Sequence, residues 1–232
     1  AALKSLPKRD VLMLAEGTRS DHYQAGFDLT YGWNYYTTLK NVWNGAATST
    51  LTTTNQLEYG NIPSGKGKIR FTTNHDESAW DASPMTLFNG KNGAIAASVV
   101  TIFSGGVPLL YTGQEVGKTG TTPFFTNSTI NWTSNADMLA AYQKLYTIYN
   151  NNSAARSSNV SAYQLSNDLV CWKKTNGSSS VLILVNVRNA TINATLPPAL
   201  TGNFNNLISG MSENLSSALT LTPYAYCIYQ MN

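Results

Sequence analysis

Charged residues are scarce in this sequence. Only 12% of its 232 residues are Asp, Glu, Lys or Arg, and the 15 basic residues exceed the 12 acidic ones to give a formal net charge of +3. The Lys and Arg residues form no cluster, which argues against a nucleic-acid-binding surface. The sequence also lacks a run of about eighteen apolar residues, so no membrane-spanning helix is predicted. Abundant Asn, Thr, Ser and Tyr suit an uncharged polar ligand instead.

A secretory leader is not recognisable, and cysteine is rare. The first seven residues look like the end of a helix that enters a loop, so we expect the sequence to begin within a domain. The two cysteines, Cys171 and Cys227, lie in separate strand-like segments near the end of the chain. A disulfide between them and two buried free thiols are both open interpretations, and we expect the free thiols.

The first 150 residues alternate between strand-like and helix-like patterns. Such alternation predicts parallel strands joined by helical crossovers. After residue 152 the pattern changes to short alternating segments separated by turn residues such as Asn176-Gly177, which predicts a small antiparallel sandwich. We therefore divide the chain into an α/β unit, residues 1–152, and an all-β unit, residues 153–232. The predicted strands of the first unit are 11–15, 25–31, 68–73 and 107–112, and its predicted helices are 34–43, one within 48–67, 93–104 and 136–150. The predicted strands of the second unit are 161–173, 181–187, 190–196, 204–208 and 219–230.

Glu16 directly follows the first predicted strand, which is a continuous apolar run and therefore typical of a buried parallel strand. The carboxyl end of such a strand is where barrel enzymes carry catalytic residues. A Glu that turns to solvent in a loop is the alternative interpretation, and position alone leaves both open. Aromatic residues that follow, such as Tyr31, Trp33 and Tyr36, could stack on a sugar ring, but their spacing favours core packing.

Three motifs in a fixed order carry a resemblance to a known family. The first is Leu14-Ala15-Glu16-Gly17, the second is Phe71-Thr72-Thr73-Asn74-His75-Asp76, and the third runs from Gly106-Val107-Pro108 through Tyr111 to Gly113-Gln114-Glu115. In this order, followed by a β-rich segment that contains residues 181–186, they resemble the alpha-amylase family of retaining glycoside hydrolases. Each motif alone is a modest signal, whereas the combination is specific.

The resemblance implies a fold and a set of roles. The fold would be the second half of a (β/α)8 barrel, strands five to eight, followed by a small antiparallel β-sandwich. Glu16 would be the proton donor, provided that burial keeps its carboxyl group protonated, and Asp76 would stabilise the transition state. His75 would donate a hydrogen bond to the same sugar ring, and Asn74 would either bind substrate or order the loop. We expect the two carboxylates to come from side-by-side strands and to converge on one sugar unit.

The resemblance also shows what this sequence does not contain. The family's strand-three and strand-four motifs, the latter with the Asp nucleophile, have no counterpart here, so we expect the isolated chain to be inactive on α-glucan. No metal site or cofactor is predicted in this chain, although the resemblance leaves room for calcium in the complete protein. Half a barrel would expose an apolar inner face, which predicts either a polypeptide that supplies the N-terminal half or self-association. We expect that face to contain Leu12, Leu14, Phe71, Leu109 and Tyr111.

Other functions stay open at this point. The chain could be a non-catalytic α-glucan-binding or structural relative, or belong to a transglycosylase or branching enzyme of the same family. A proton donor retained at Glu16 favours the enzyme, because a binding protein has no use for one. Polymeric starch does not enter cells, so we expect the protein to be extracellular, periplasmic or on the cell surface.

Overall fold

The computed structural model describes residues 11–231. The helix end expected within residues 1–7 lies outside the described residues. No helix within residues 11–231 has the length and apolar character needed to cross a bilayer. Residues 11–156 form the α/β part, in which strands and helices alternate as predicted. The strands are β1 (Leu14–Ala15), β2 (Leu29–Tyr31), β3 (Gly67–Arg70) and β4 (Val107–Pro108). The helices are α1 (Asp21–Gln24), α2 (Trp33–Trp43), α3 (Ser49–Tyr59), α4 (Glu77–Trp80), α5 (Pro84–Leu87), α6 (Lys91–Phe103), α7 (Ala136–Asn151) and α8 (Ser153–Arg156).

The strands β1 to β4 form a parallel sheet within the described range. They lie side by side in chain order, with Leu14 opposite Leu29 and Ile69 opposite Val107. Each strand is shorter than predicted. In β3 and β4 the ladder ends at the pair Arg70 and Pro108, so the buried residues that follow Arg70 do not continue it. The apolar pattern thus predicted burial correctly for β2 and β3 only, because Leu14 of β1 and Val107 of β4 are exposed, and it overestimated the length of all four strands.

A buried ion pair fixes β3 against the helical layer. The Arg70 side chain is fully buried, pairs with Glu58 of α3 and donates to Asn55 Oδ1 at 2.6 Å. Its guanidinium lies 4.2 Å from the centroid of the Tyr35 ring. A Cβ atom at Gly106 would lie 2.6 Å from Arg70 Cγ, so the approach of the β4 segment requires glycine there. Bringing a charge into this layer is tolerable because the carboxylate and the amide pair with the two terminal nitrogens of the guanidinium, while its buried Nε has no hydrogen-bond partner among the described residues.

The helices α6 and α7 form the centre of the main core. All side chains from Gly93 to Phe103 of α6 are buried, in agreement with the Ala-, Ile- and Val-rich pattern. In α7 the side chains of Met138, Tyr142, Leu145 and Ile148 are buried, and their spacing of three or four residues places them on one face of the helix.

The all-β part follows α8 and contains two antiparallel sheets. The larger sheet has the strand order β10-β9-β12-β7-β6-β5, and β11 pairs with β8 in the smaller one. Sequence patterns missed β10 and merged two pairs of strands. One of the two merged pairs is joined by a turn in which Tyr224, at φ +57°, takes the conformation that glycine usually signals. Cys171 is buried, Cys227 is half-buried, and both are free thiols as predicted. The strands are β5 (Val160–Ala162), β6 (Leu169–Asn176), β7 (Ser179–Asn186), β8 (Ile192–Thr195), β9 (Gly202–Asn206), β10 (Ser212–Leu215), β11 (Ala218–Leu221) and β12 (Tyr226–Met231).

The two parts share one hydrophobic core. The same buried cluster contains Leu39 of α2, Val99 of α6 and Ile183 of β7. Arg188, just after β7, ties the parts together at their surface: it donates to Asp168 Oδ1 at 2.6 Å, to Ala46 O at 2.7 Å and to Val42 O. The change from helices to strands comes after α8, four residues beyond the predicted division at residue 152, and the status of that division as a domain boundary stays a prediction.

Lys174 of β6 is an unusual member of this junction. Its side chain is fully buried, and its Nζ donates to the carbonyl oxygen of Ala155 in α8. No carboxylate pairs with it among residues 11–231. Burial lowers the pKa of Lys174 to about 7, because the protein interior disfavours the charged ammonium.

The expected apolar inner face is only partly present. Leu12 and Leu14 are exposed, as expected, and Leu109 and Tyr111 are half-buried. The expectation is wrong for Phe71. Its ring is buried because it packs against aromatic rings that the sheet and α2 provide, namely those of Tyr31, Trp33 and Tyr36.

Candidate active site

The parallel sheet places the predicted site residues at one edge. Glu16 follows β1, and His75 and Asp76 lie in the loop after β3. Carboxyl ends of parallel strands meet at the same edge of a sheet, which explains why residues sixty positions apart in the chain come together. The expectation that the two carboxylates come from side-by-side strands is wrong, because β2 lies between β1 and β3.

Glu16, His75 and Asp76 form a close cluster, called here the acid cluster. His75 Nε2 lies 3.2 Å from Glu16 Oε1 and 3.5 Å from Asp76 Oδ1. One side-chain nitrogen or oxygen atom from each residue lies within 4.8 Å of the others. The two carboxylates thus converge on one position, with the imidazole between them. Such a set can donate a proton, accept one and hydrogen-bond a sugar hydroxyl. Its spacing would also suit a metal ion, and no fourth His, Cys, Asp or Glu within residues 11–231 belongs to this group.

Glu16 is more exposed than the sequence led us to expect. Its side chain is 51% exposed, and that of Asp76 only 22%. The physical reason is that β1 is an edge strand of the described sheet, with β2 on one side only. The described residues alone therefore do not bury Glu16, which the resemblance had led us to expect.

Tyr31 lies close enough to the acid cluster to be influenced by its charges. Its ring is buried and stacks on Trp33, with centroids 5.3 Å apart and an interplanar angle of 18°. Burial, together with the nearby negative charges of Glu16 and Asp76, raises the pKa of Tyr31. The Tyr31 hydroxyl therefore stays protonated and can donate a hydrogen bond at neutral pH.

Asn74 orders the loop that carries the cluster. Its Oδ1 accepts hydrogen bonds from the backbone N–H groups of Asp76 at 3.0 Å and Glu77 at 2.8 Å, which stabilises the start of α4. The residue is buried. Of the two interpretations that the sequence left open, this geometry describes loop ordering, and a contact between Asn74 and sugar stays a prediction that the burial does not favour.

Polar side chains of α2 contact α4 and the residue that follows it. This network was not predicted from the sequence. Lys40 Nζ of α2 lies 2.6 Å from Asp81 Oδ2 and 4.0 Å from Glu77 Oε2. The Tyr36 hydroxyl donates to Asp81 Oδ2 at 3.1 Å. Burial raises the pKa of Glu77. The network joins residues about forty positions apart, and no local pattern could have predicted it.

Gln114 braces the loop after β4. Its Nε2 donates to Thr72 Oγ1 at 2.7 Å and to the Tyr142 hydroxyl at 2.9 Å, with Ser98 Oγ at 3.2 Å. The buried Oε2 of the neighbouring Glu115 has no hydrogen-bond partner within the described part of the chain. The third motif therefore holds the end of β3 in place chiefly through Gln114.

Comparisons with known proteins identify the fold. The sequence matches no family model and no curated protein. The structure, in contrast, matches many solved structures, and these define its class: the chain has the fold found in structures of the alpha-amylase family. Sequence identities are below 25%, so the likeness is one of fold.

Three of these structures illustrate the match. An alpha-amylase from Geobacillus thermoleovorans, solved with acarbose, has a TM-score of 0.83 at 14% identity over 99% of this chain and 55% of its own. An alpha-amylase from Lactobacillus plantarum has a TM-score of 0.80 at 21% identity over 95% and 56%. A cyclic alpha-maltosyl-(1→6)-maltose hydrolase from Arthrobacter globiformis has a TM-score of 0.78 at 19% identity over 100% and 52%. The chain thus spans about half the length of the structures it matches.

Proposed function

We propose that this chain contributes the acid cluster of a retaining glycoside hydrolase that acts on α-glucan. The observation that carries the proposal is the convergence of Glu16, His75 and Asp76 at the carboxyl edge of the parallel sheet. The fold shared with alpha-amylases, and the motif order in the sequence, support the choice of α-glucan as substrate.

Each member of the cluster has a chemical task in this proposal. Glu16 protonates the glycosidic oxygen as the bond breaks and later accepts a proton from the attacking water. Asp76 stabilises the positive charge that develops on the sugar ring, and His75 donates a hydrogen bond to a hydroxyl of that ring. A bound glucan chain would exclude water from the half-exposed Glu16, a condition under which carboxylic acids serve as proton donors.

The four parallel strands correspond, in this proposal, to strands five to eight of a (β/α)8 barrel. The parallel order β1 to β4 and the half-length match to the solved structures support that assignment. The all-β part would then be the C-terminal β domain, with the division at residue 152. Leu12 and Leu14, which are exposed on the open sheet, would contact either the N-terminal half of the barrel or a second copy of the chain.

The nucleophile lies outside the acid cluster in this proposal. Retaining hydrolysis needs a proton donor and a nucleophilic carboxylate about 5–5.5 Å apart. Within residues 11–231 the cluster offers Glu16 and Asp76 only, and the resemblance gives Asp76 a different role. We therefore propose that this chain, by itself, does not turn over α-glucan, that the complete protein does, and that it works outside the cytoplasm on starch. Calcium remains an option for the complete protein only.

Activity and binding together test the proposal. Reducing-sugar release from soluble starch is measured for the chain and for Glu16→Gln, and maltoheptaose binding is measured by calorimetry for the chain and for Asp76→Asn. We expect no turnover, and about tenfold weaker binding for Asp76→Asn, because a charge-assisted hydrogen bond contributes about 1.5–3 kcal/mol. Asn214→Ala, on the exposed face of the β part, serves as the control.

Two outcomes would overturn parts of the proposal. If the chain turned over starch and Glu16→Gln abolished this activity, Glu16 and Asp76 would suffice as the catalytic pair. The proposal that the nucleophile lies outside the acid cluster would then be wrong. If Asp76→Asn left the affinity for maltoheptaose unchanged, the result would instead indicate a non-catalytic glucan-binding protein.

A further inference from the structure

Three aromatic side chains form an exposed patch beside the acid cluster. Trp80 is 73% exposed, Phe124 45% and Phe125 97%. The rings of Trp80 and Phe124 meet edge to face with centroids 5.5 Å apart, and those of Phe124 and Phe125 lie 6.0 Å apart. We call these three residues the ring cluster. Exposed apolar patches of this kind mark binding surfaces, because contact with water is unfavourable for them.

The ring cluster is joined to the acid cluster through α4. The backbone N–H of Trp80 donates to Asp76 O at 3.0 Å, so Trp80 lies one helical turn after Asp76. The backbone N–H of Thr122 donates to Ser78 O at 2.6 Å, which holds the loop that carries Phe124 and Phe125 against the same helix. The rings therefore continue the surface on which Asp76 lies.

The size of the patch favours a slender ligand over a protein partner. An aromatic side chain presents about 150–250 Å², so the exposed parts of the three rings amount to about 400 Å². A stable protein interface needs about 800 Å² on each partner. A self-associating surface of the chain would therefore have to extend well beyond the ring cluster.

The loop that carries Phe124 and Phe125 has no charged residue and therefore favours an uncharged ligand. Residues 119–136 include no Asp, Glu, Lys or Arg, and they are rich in Thr, Asn and Ser. Hydroxyl and amide groups beside aromatic faces match a ligand that has polar edges and apolar C–H faces. Pyranose rings have this character, and a charged ligand would find no counter-charge in this segment.

We propose that the ring cluster is a stacking platform for glucosyl units of an α-glucan chain next to the unit held at Asp76. This inference rests on the proposed function, because it takes the substrate class from the acid cluster. Trp80 would bind the unit closest to Asp76, since it lies one turn away on the same helix. Phe125, nearly fully exposed, would bind a unit further along the chain.

Affinity electrophoresis in gels that contain soluble starch, together with calorimetry with maltoheptaose, tests the platform. The variants are Trp80→Ala, Phe125→Ala and the ring-retaining Trp80→Phe. Leu57→Ala, which removes an exposed apolar side chain of α3, is the matched control. We expect Trp80→Ala to weaken binding about five- to tenfold, Phe125→Ala about threefold, and Trp80→Phe and Leu57→Ala less than twofold.

The outcomes separate this inference from the proposed function. Binding that is lost in Asp76→Asn but unchanged in Trp80→Ala would overturn the platform and leave the proposed function in place. Binding that is lost in Trp80→Ala but unchanged in Asp76→Asn would support the platform and contradict the proposed function. The platform would be overturned if the unaltered chain showed no measurable binding. It would also be overturned if sedimentation showed a dimer of the unaltered chain and Trp80→Ala dissociated that dimer.

Discussion

The buried Lys174 makes stability depend on pH in a direction that the structure fixes. Its ordinary pKa of 10.5 applies to the unfolded chain, and burial lowers the pKa to about 7 in the folded protein. Between these values the unfolded state binds more protons, so the free energy of unfolding rises with pH from about 7 to about 10. Below pH 7 both states are protonated, and Lys174 adds no further dependence.

The magnitude follows from the same two values. Each pH unit in this window contributes at most about 1.4 kcal/mol, so the Lys174 contribution rises by about 2 kcal/mol between pH 7.5 and 9.5. Lys174→Met removes the titrating group while it retains a long side chain in the same space. The pKa values of tyrosines such as Tyr142 are also raised by burial, but they are shared by both proteins and cancel in the comparison.

Urea unfolding followed by circular dichroism at pH 7.5, 8.5 and 9.5, under reducing conditions, gives the required free energies. We expect the difference between the unaltered chain and Lys174→Met to change by about 2 kcal/mol over this range, in favour of the unaltered chain at higher pH. Arg156→Met, at an exposed side chain of α8, serves as the control. If the free energy of unfolding changed with pH by the same amount in the unaltered chain and in Lys174→Met, the assigned effect of Lys174 would be refuted.

Two further predictions concern the parts that position the site. Asn74→Ala removes the acceptor of two backbone N–H groups at the start of α4, and we expect a loss of about 1–2 kcal/mol in urea unfolding, whereas Asn74→Asp keeps most of it. A full effect in Asn74→Asp as well would argue against the hydrogen bonds as the cause. Arg188→Ala removes the donors to Val42 O and Ala46 O, and we expect a loss of about 2 kcal/mol together with faster hydrogen exchange at the C-terminal end of α2. Unchanged exchange there would show that the shared core alone holds the two parts together.

The convergence of Glu16 and Asp76 could be predicted from the sequence because the signals for both residues are local. Glu16 and Asp76 each end a short motif, and the rule that parallel strands present their carboxyl ends at one edge was enough to bring them together. The same holds for α6, whose uninterrupted Ala, Ile and Val residues predicted a buried helix. Where a residue's place in the fold depends on its own neighbours in the chain, the structure agrees with the prediction, and the roles of Glu16 and Asp76 stay predictions.

Features that depend on distant partners could not be predicted in this way. The contact of Lys40 with Asp81 joins two helices, and neither residue signals the other in the sequence. The exposure of Glu16 depends on how many strands flank β1, and the burial of Phe71 depends on rings from α2. The ring cluster could not be predicted from the sequence either, because Trp80 and Phe124 are 44 residues apart and neither belongs to a motif.

The most direct test of the central claim is a crystal structure of the chain with maltoheptaose bound. We expect a glucosyl unit whose hydroxyl or ring oxygens lie within hydrogen-bond distance of Glu16, His75 and Asp76. Sugar bound only elsewhere, for instance in the cavity of about 260 Å³ lined by Tyr35 and Trp172, would contradict it.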